Sequence, residues 1–110
     1  MLSVTWTALE NVRPLIGEVR ALTDRPFGVN LGLAWPQAER LEVCLDEGVP
    51  IISFFWGDPA EHIRRAHAAS ALVMQTVAAA AEARRVSEAG VDILVAQGWE
   101  AGGQIGRAHV

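Results

Sequence analysis

The sequence predicts an α/β fold built from parallel βα units. Four short runs rich in Val, Ile, Leu and Phe alternate with segments of helical character. They cover residues 27–31, 49–55, 71–77 and 91–96, and they start about 20 to 22 residues apart, close to the repeat of a βα unit with short loops. The run at 71–77 is ambiguous, because its Ala-rich surroundings would also suit a continuing helix.

Helix signals stand between these runs. The segment 35–47 places Leu41, Cys44 and Leu45 on one face and ends at Gly48, and the segment 80–89 ends in the same way at Gly90. Asp58 and Pro59 predict the start of a third helix, with Asp58 as its N-cap. Residues 1–24 are predicted to form one helix, because Leu15, Ile16, Val19 and Leu22 recur at helical spacing.

The composition predicts one packed domain over residues 1–110. Half of the residues (51%) are hydrophobic and the mean hydropathy is +0.22, which provides ample apolar surface to offset the entropy of ordering. The net charge of −4 argues against a nucleic-acid partner, since phosphate binding needs a cationic face. All nine basic residues are Arg, so lysine chemistry of the P-loop or Schiff-base kind is excluded, and Tyr is absent.

Metal, membrane and disulfide functions are not predicted. His62 and His67 are five positions apart, about 140° around a helix, so they do not share a face for a metal ion, and we interpret both as solvated. Cys44 is the single cysteine and is interpreted as a small hydrophobe on a helix face. No apolar stretch reaches the roughly 20 residues of a membrane span, and no signal peptide is evident, so a cytoplasmic location is expected.

The loops that follow the strands are where a ligand is expected. In parallel α/β folds, ligands bind at the carboxyl ends of the strands. The last of these loops is the most unusual, since residues 98–106 contain four glycines in nine residues. A backbone without side chains can approach a flat ring or a phosphate closely, although a flexible turn explains the same glycines. The loop does not match G-x-G-x-x-G, so no dinucleotide fingerprint is claimed.

Several segments together resemble a known family, the nitronate monooxygenases. The segments are Pro-Phe-Gly-Val-Asn-Leu at 26–31, Gly-Val-Pro-Ile-Ile-Ser-Phe at 48–54, Ala-Gly-Val-Asp at 89–92 and Gln-Gly-Trp-Glu-Ala-Gly-Gly at 97–103. Their order and spacing also match, and the resemblance extends over about residues 23–106. Flavin-dependent enoyl-acyl carrier protein reductases have similar loops and are the alternative relatives.

The resemblance implies a TIM-barrel flavoprotein that holds FMN without a covalent bond and oxidises alkyl nitronates with O2. By the same resemblance, Asn30 and Gln75 would lie beside the isoalloxazine ring as hydrogen-bond partners, and Ser53 with Phe54 would line the mouth of the site. The backbone at Gly102 and Gly103 would close on the flavin. Independently of the family, Asn30 could simply end a strand, and Gln75 could be a helix-surface amide.

Two departures from the family pattern affect the expected activity. Gln104 occupies the position after Glu-Ala-Gly-Gly where the family usually has a histidine, and an amide cannot accept a proton near neutral pH. A complete barrel needs about 200 to 250 residues, so this chain is expected to supply about four strands, or half of a TIM barrel. We therefore expect a truncated flavoenzyme, with loss of activity as one of the expected outcomes. The alternative is a non-catalytic half-barrel that pairs with itself or with a partner chain to cover exposed sheet edges.

Overall fold

Strands and helices alternate strictly in the computed structural model, which describes residues 1–97. The strands are β1 (Leu2–Ser3), β2 (Gly28–Gly32), β3 (Ile51–Phe55), β4 (Leu72–Val77) and β5 (Ile93–Ala96). The helices are α1 (Leu9–Leu22), α2 (Ala38–Asp46), α3 (Ala60–Ala68) and α4 (Ala80–Glu88). The ambiguous run at 71–77 is therefore a strand.

The five strands form one parallel sheet in the order β1-β2-β3-β4-β5. Each strand pairs with the next strand along the chain, and the order does not reverse within residues 1–97. A doubly wound fold would contain such a reversal, whereas a (β/α) barrel adds its strands consecutively. The prediction of an α/β fold of parallel βα units, forming about half of a TIM barrel, is confirmed.

The two faces of the sheet differ in character. Val29, Ile52 and Val73 are paired in register across β2, β3 and β4, and all three are fully buried. They belong to the hydrophobic core together with helix residues such as Ile16 and Leu41, so this face is covered by the helices. The next residue along each strand points to the other face, which carries Asn30, Ser53 and Met74.

The prediction of a single helix over residues 1–24 is wrong. The chain begins with β1 and enters α1 only at Leu9, so residues 1–97 contain five strands where four were expected. Val4 is fully buried and donates its backbone N–H to the carbonyl oxygen of Asn30 at 3.3 Å. Val4, Thr5 and Thr7 are β-branched residues, which lose side-chain freedom in a helix, and they lie in the connection between β1 and α1.

The predicted helix ends are confirmed at both glycines. Gly48 has φ +74° and Gly90 has φ +106°, and each stands two residues beyond the last residue of its helix. The N-cap of α3 is Pro59 and not Asp58 as predicted; Asp58 lies one position earlier, where its Oδ1 accepts a hydrogen bond from the backbone N–H of Ala60 at 3.0 Å. Pro59 precedes the first residue of α3, one position earlier than predicted.

Cys44 is a packing residue. It is fully buried in the core, and this burial raises the pKa of its thiol to about 11. The thiol therefore stays protonated and unreactive at neutral pH, as expected for a small hydrophobe on the inner face of α2.

Ser70, between α3 and β4, has a left-handed backbone with φ +67°. Because a side chain is strained in this conformation and glycine is not, Ser70→Gly is expected to raise the free energy of unfolding by about 0.5–1 kcal/mol. Urea unfolding followed by circular dichroism measures the change. The control is Ser87→Gly inside α4, which should instead lower stability by about 0.5–1 kcal/mol. A loss of stability at both positions would contradict the expectation.

His67 is exposed, as the sequence suggested, and it also contacts Asp92 at the amino edge of the sheet. Its Nε2 lies 2.7 Å from Asp92 Oδ2, and the same oxygen accepts the backbone N–H of Val73 at 2.8 Å. The Val73 hydrogen bond and then the His67 contact lower the pKa of Asp92.

Across residues 1–97, no three His, Cys, Asp or Glu side chains are grouped closely enough to hold a metal ion.

The lowered pKa of Asp92 predicts a pH dependence of stability. A carboxyl whose pKa is lower in the folded state stabilises that state above the unfolded pKa of about 3.8, and the contribution disappears as the pH falls through the lower folded pKa. The melting temperature of Asp92→Asn should therefore be below that of the parent at neutral pH, and the two should converge as the pH falls below about 3.8. Glu18→Gln, at an exposed position of α1, is the control. A difference that is independent of pH would contradict this assignment.

The helices described over residues 1–97 include none that is both long and apolar enough to span a membrane.

Candidate functional site

A cavity of about 310 Å³ opens at the carboxyl edge of the sheet. Its lining includes the side chains of Asn30, Phe55, Thr76 and Gln97. Another groove, of about 400 Å³, lies at the opposite edge among the residues that precede β2, such as Arg25. Since parallel α/β folds bind ligands at the carboxyl ends of their strands, the cavity beside Asn30 is the candidate site.

Asn30 and Ser53 are brought together as the sequence suggested. They are register partners on β2 and β3, so their side chains share the face of the sheet that the helices leave open. Ser53 is almost fully buried, and Asn30 is half-buried where it lines the cavity. The two side chains thus provide an amide and a hydroxyl on one surface.

Gln75 does not join them. It pairs in register with Phe54, on the face covered by helices, and both residues are fully buried. Gln75 Nε2 donates to the carbonyl oxygen of Gly57 at 3.5 Å, and its Oε1 has no hydrogen-bond partner within residues 1–97. Phe54 packs against the ring of His62 with centroids 5.7 Å apart, so it lies in the core and not at the mouth of the site.

Thr76 and Gln97 also line the cavity, although the sequence analysis assigned neither of them a role in the site. Thr76 lies two residues after Met74, on the open face, and Gln97 follows the last residue of β5. The alternation of side chains along β4 could have identified Thr76, because it selects Thr76 for the open face once Gln75 is assigned to the core. Gly102, Gly103 and Gln104 lie outside the described residues, so their predicted roles remain predictions.

Buried hydrogen bonds hold the loops that follow β1 and β2 against each other. Gln37, which is 2% exposed, donates from Nε2 to the carbonyl oxygens of Thr5 at 3.2 Å and Gly32 at 3.0 Å. The backbone N–H of Gly32 in turn donates to Thr5 Oγ1 at 2.9 Å. Because these buried donors and acceptors satisfy one another, the network fixes the relative position of the two loops.

The loops after β2 and β3 are also joined. Leu33 donates its backbone N–H to the carbonyl oxygen of Phe55 at 2.7 Å. A Cβ atom added to Gly57 would stand 2.6 Å from the Cβ of Leu33, so only glycine allows this close approach. Trp56, between Phe55 and Gly57 in the sequence, has a left-handed backbone with φ +61°. This conformation is strained for a bulky residue and costs about 1–2 kcal/mol. Such strain is most often found at functional positions.

The fold and the cavity define the class: a barrel-type α/β protein with a cavity at the carboxyl ends of its strands. Comparison with known proteins then identifies the family. The family described as "Nitronate monooxygenase" matches residues 32–110. The chain belongs to the nitronate monooxygenase family.

Individual relatives agree with this assignment. "(3aS,4S,5R,7aS)-5-hydroxy-7a-methyl-1-oxo-octahydro-1H-indene-4-carboxyl-CoA dehydrogenase" of Mycobacterium tuberculosis is 38% identical over 94% of this chain and 29% of its own length. A nitronate monooxygenase of Pseudomonas aeruginosa is 32% identical over 96% of this chain and 41% of its own length. The chain therefore spans about 29 to 41% of the length of these relatives.

Solved structures show the same likeness in three dimensions. FabK from Thermotoga maritima superposes with a TM-score of 0.84 at 38% identity, covering 96% of this chain and 34% of FabK. A nitroalkane oxidase from Streptomyces ansochromogenes gives a TM-score of 0.80 at 29% identity, covering 90% of this chain and 38% of the oxidase.

Proposed function

We propose that this chain contributes the FMN-facing part of an oxidoreductase that oxidises alkyl nitronates with O2. The observation that carries the proposal is the register pairing of Asn30 with Ser53 on the open face, beside a cavity at the carboxyl edge. Membership of the nitronate monooxygenase family supports the reaction class. When bound, FMN supplies the redox chemistry that links oxidation of an organic substrate to reduction of oxygen.

The residues of the cavity suit one edge of a flavin ring. The amides of Asn30 and Gln97 and the hydroxyl of Thr76 offer both donors and acceptors to the ring's polar atoms. Phe55 and Trp56 provide flat apolar walls. Ligand sites have volumes of about 300–1,000 Å³, so the cavity of about 310 Å³ fits part of such a cofactor.

Among the predicted cofactor residues, we assign Asn30 and Ser53 to hydrogen bonding with the flavin, and Gly102 and Gly103 to the approach of the backbone. We assign Gln75 a supporting role instead, because its amide contacts the Gly57 carbonyl from the core side of the sheet. The proposed role of Gln104 is to orient the substrate by hydrogen bonding, since an amide side chain cannot act as a general base.

The first test is FMN binding by the full chain, measured by gel filtration and by the quenching of flavin fluorescence. We expect FMN to co-elute with the protein. Asn30→Leu should weaken FMN binding by about two- to tenfold, the value of one hydrogen bond. Met74→Leu is the matched control, because Met74 lies on the same face and the exchange conserves volume. Colourless protein, or equal losses in both variants, would overturn the proposal for this chain.

The second test concerns Gln104. If the remainder of the site is competent, Gln104→His should raise the rate of ethylnitronate oxidation, because histidine can accept a proton near neutral pH. Oxygen consumption by FMN-loaded protein measures the rate, and Gln104→Asn is the control. A flavin-loaded Gln104→His variant that gains no activity would show that Gln104 does not limit turnover.

The expected alternative, a half-barrel that pairs with a second chain, has one supporting observation. Ile93, Leu94 and Val95 of β5 are 38%, 40% and 39% exposed, a continuous apolar strand. Light scattering coupled to gel filtration tests this alternative. A dimer that binds no FMN favours it, and a flavin-loaded monomer excludes it.

A further inference from the structure

Three tryptophans form a continuous exposed surface at the carboxyl edge of the sheet. Trp6, Trp35 and Trp56 come from the successive loops that follow β1, β2 and β3. The ring centroids of Trp6 and Trp35 are 5.2 Å apart, and those of Trp35 and Trp56 are 5.8 Å apart. The three residues are 65%, 39% and 62% exposed. We call this surface the tryptophan ledge.

Scattered exposed hydrophobic residues need no explanation, but a contiguous aromatic surface marks a binding site. Indole rings bind flat apolar groups at low entropic cost, since each side chain has only two rotatable bonds. The ledge is also held in place. The Gln37 network joins the loops of Trp6 and Trp35, and the hydrogen bond from Leu33 to Phe55 joins the loop of Trp35 to the strand that ends before Trp56.

The ledge is continuous with the candidate site. Trp56 lines the cavity beside Asn30, Trp35 packs against Trp56, and Trp6 lies beyond Trp35. The left-handed backbone of Trp56 keeps its ring at this junction in spite of the strain. A ligand seated in the cavity can thus extend outward along three rings.

The charge beside the ledge disfavours a cationic ligand. The Arg40 guanidinium donates to the carbonyl oxygens of Thr7 at 2.7 Å and Pro36 at 3.4 Å, next to Trp6 and Trp35 in the chain. A cation bound over the indole rings would lie near this positive charge, so an ammonium ligand is disfavoured.

We propose that the tryptophan ledge binds a flat, cyclic apolar part of the substrate, so that the preferred substrate is a ring-containing compound larger than a simple nitroalkane. The inference rests on the proposed function for the reaction at the cavity, but ring binding by the ledge does not require FMN. The two are therefore tested separately.

The test is fluorine NMR of the full chain labelled with fluorotryptophan, without FMN. Indanone, a flat fused-ring ketone, is titrated in, with nitroethane and tetramethylammonium as comparison probes. Single Trp→Phe variants assign the resonances. We expect the signals of Trp35 and Trp56 to shift along one saturable isotherm with indanone, and to show no saturable shift with nitroethane over the same concentration range.

Two variants locate the binding surface. Trp35→Ala should weaken indanone binding by at least about fivefold, while Trp35→Phe, which retains an aromatic ring, should retain most of it. Leu22→Ala removes an 86% exposed apolar side chain from α1 and should leave binding unchanged. Circular dichroism checks that each variant is folded. The proposal is overturned if indanone gives no saturable shift, if Trp35→Ala binds like the parent, or if tetramethylammonium binds more tightly than indanone.

Discussion

Replacing Phe54 by alanine is expected to lower the free energy of unfolding by about 3–5 kcal/mol, the largest effect predicted for a single substitution in this chain. Phe54 is fully buried between the sheet and the helices and stacks on His62, so truncation removes apolar contact and leaves a cavity. Because most domains are stable by only about 5–15 kcal/mol, the alanine variant could be largely unfolded. Phe54→Leu should lower the free energy of unfolding by a smaller amount, about 1–2 kcal/mol, so its stability can still be measured if the alanine variant is unfolded.

The adjacent residue provides the control. Phe55 points to the open face and is only half-buried, so Phe55→Ala should cost clearly less than Phe54→Ala in urea unfolding. Phe55 lines the cavity, so its alanine variant should instead affect FMN binding. If both variants lost the same stability, the assignment of the two faces would be wrong.

Gln37→Leu is expected to lower the free energy of unfolding by about 2–4 kcal/mol. The loss comes from the missing hydrogen bonds of the Gln37 amide and not from a change in side-chain volume. The carbonyl oxygens of Thr5 and Gly32 would remain buried without the donor that Gln37 now supplies. The same substitution should also broaden or shift the fluorotryptophan signals of Trp6 and Trp35, because the network fixes the loops that carry them.

The chain contains a matched control for this prediction. Gln75 is equally buried, but among the described residues its amide makes one long hydrogen bond, of 3.5 Å, and its Oε1 makes none. Gln75→Leu should therefore change stability by less than about 1 kcal/mol, or increase it, because an unsatisfied polar atom is removed from the core. Similar losses from Gln37→Leu and Gln75→Leu would contradict the view that hydrogen-bond satisfaction distinguishes the two residues.

The order of strands and helices was predictable because apolar runs alternate with helical segments along the sequence. The apolar runs, Gly48 and Gly90 marked four strands and two helix ends correctly. β1 was missed because a strand of two residues is too short to show a period, and its pairing with β2 is a tertiary contact. Helical spacing within α1 was then extended wrongly to the start of the chain.

The site was only partly predictable, for a different physical reason. β3 is apolar on both faces, with Ile51 beside Ile52 and Phe54 beside Phe55. Such a strand has no polar–apolar alternation, so its sequence does not reveal which residues face the helices. The family resemblance implies positions for Phe54 at the mouth of the site and for Gln75 beside the flavin, although both lie on the helix side. Asn30 and Ser53 face the open side, as the family resemblance required.

The consecutive order of the strands also affects how the chain can be made. Within residues 1–97 each strand pairs with strands adjacent in the sequence, so these pairings close short loops and cost little chain entropy. During synthesis, each new βα unit can dock onto the unit made just before it without waiting for a distant segment. Each new strand then pairs with the strand that was synthesised just before it.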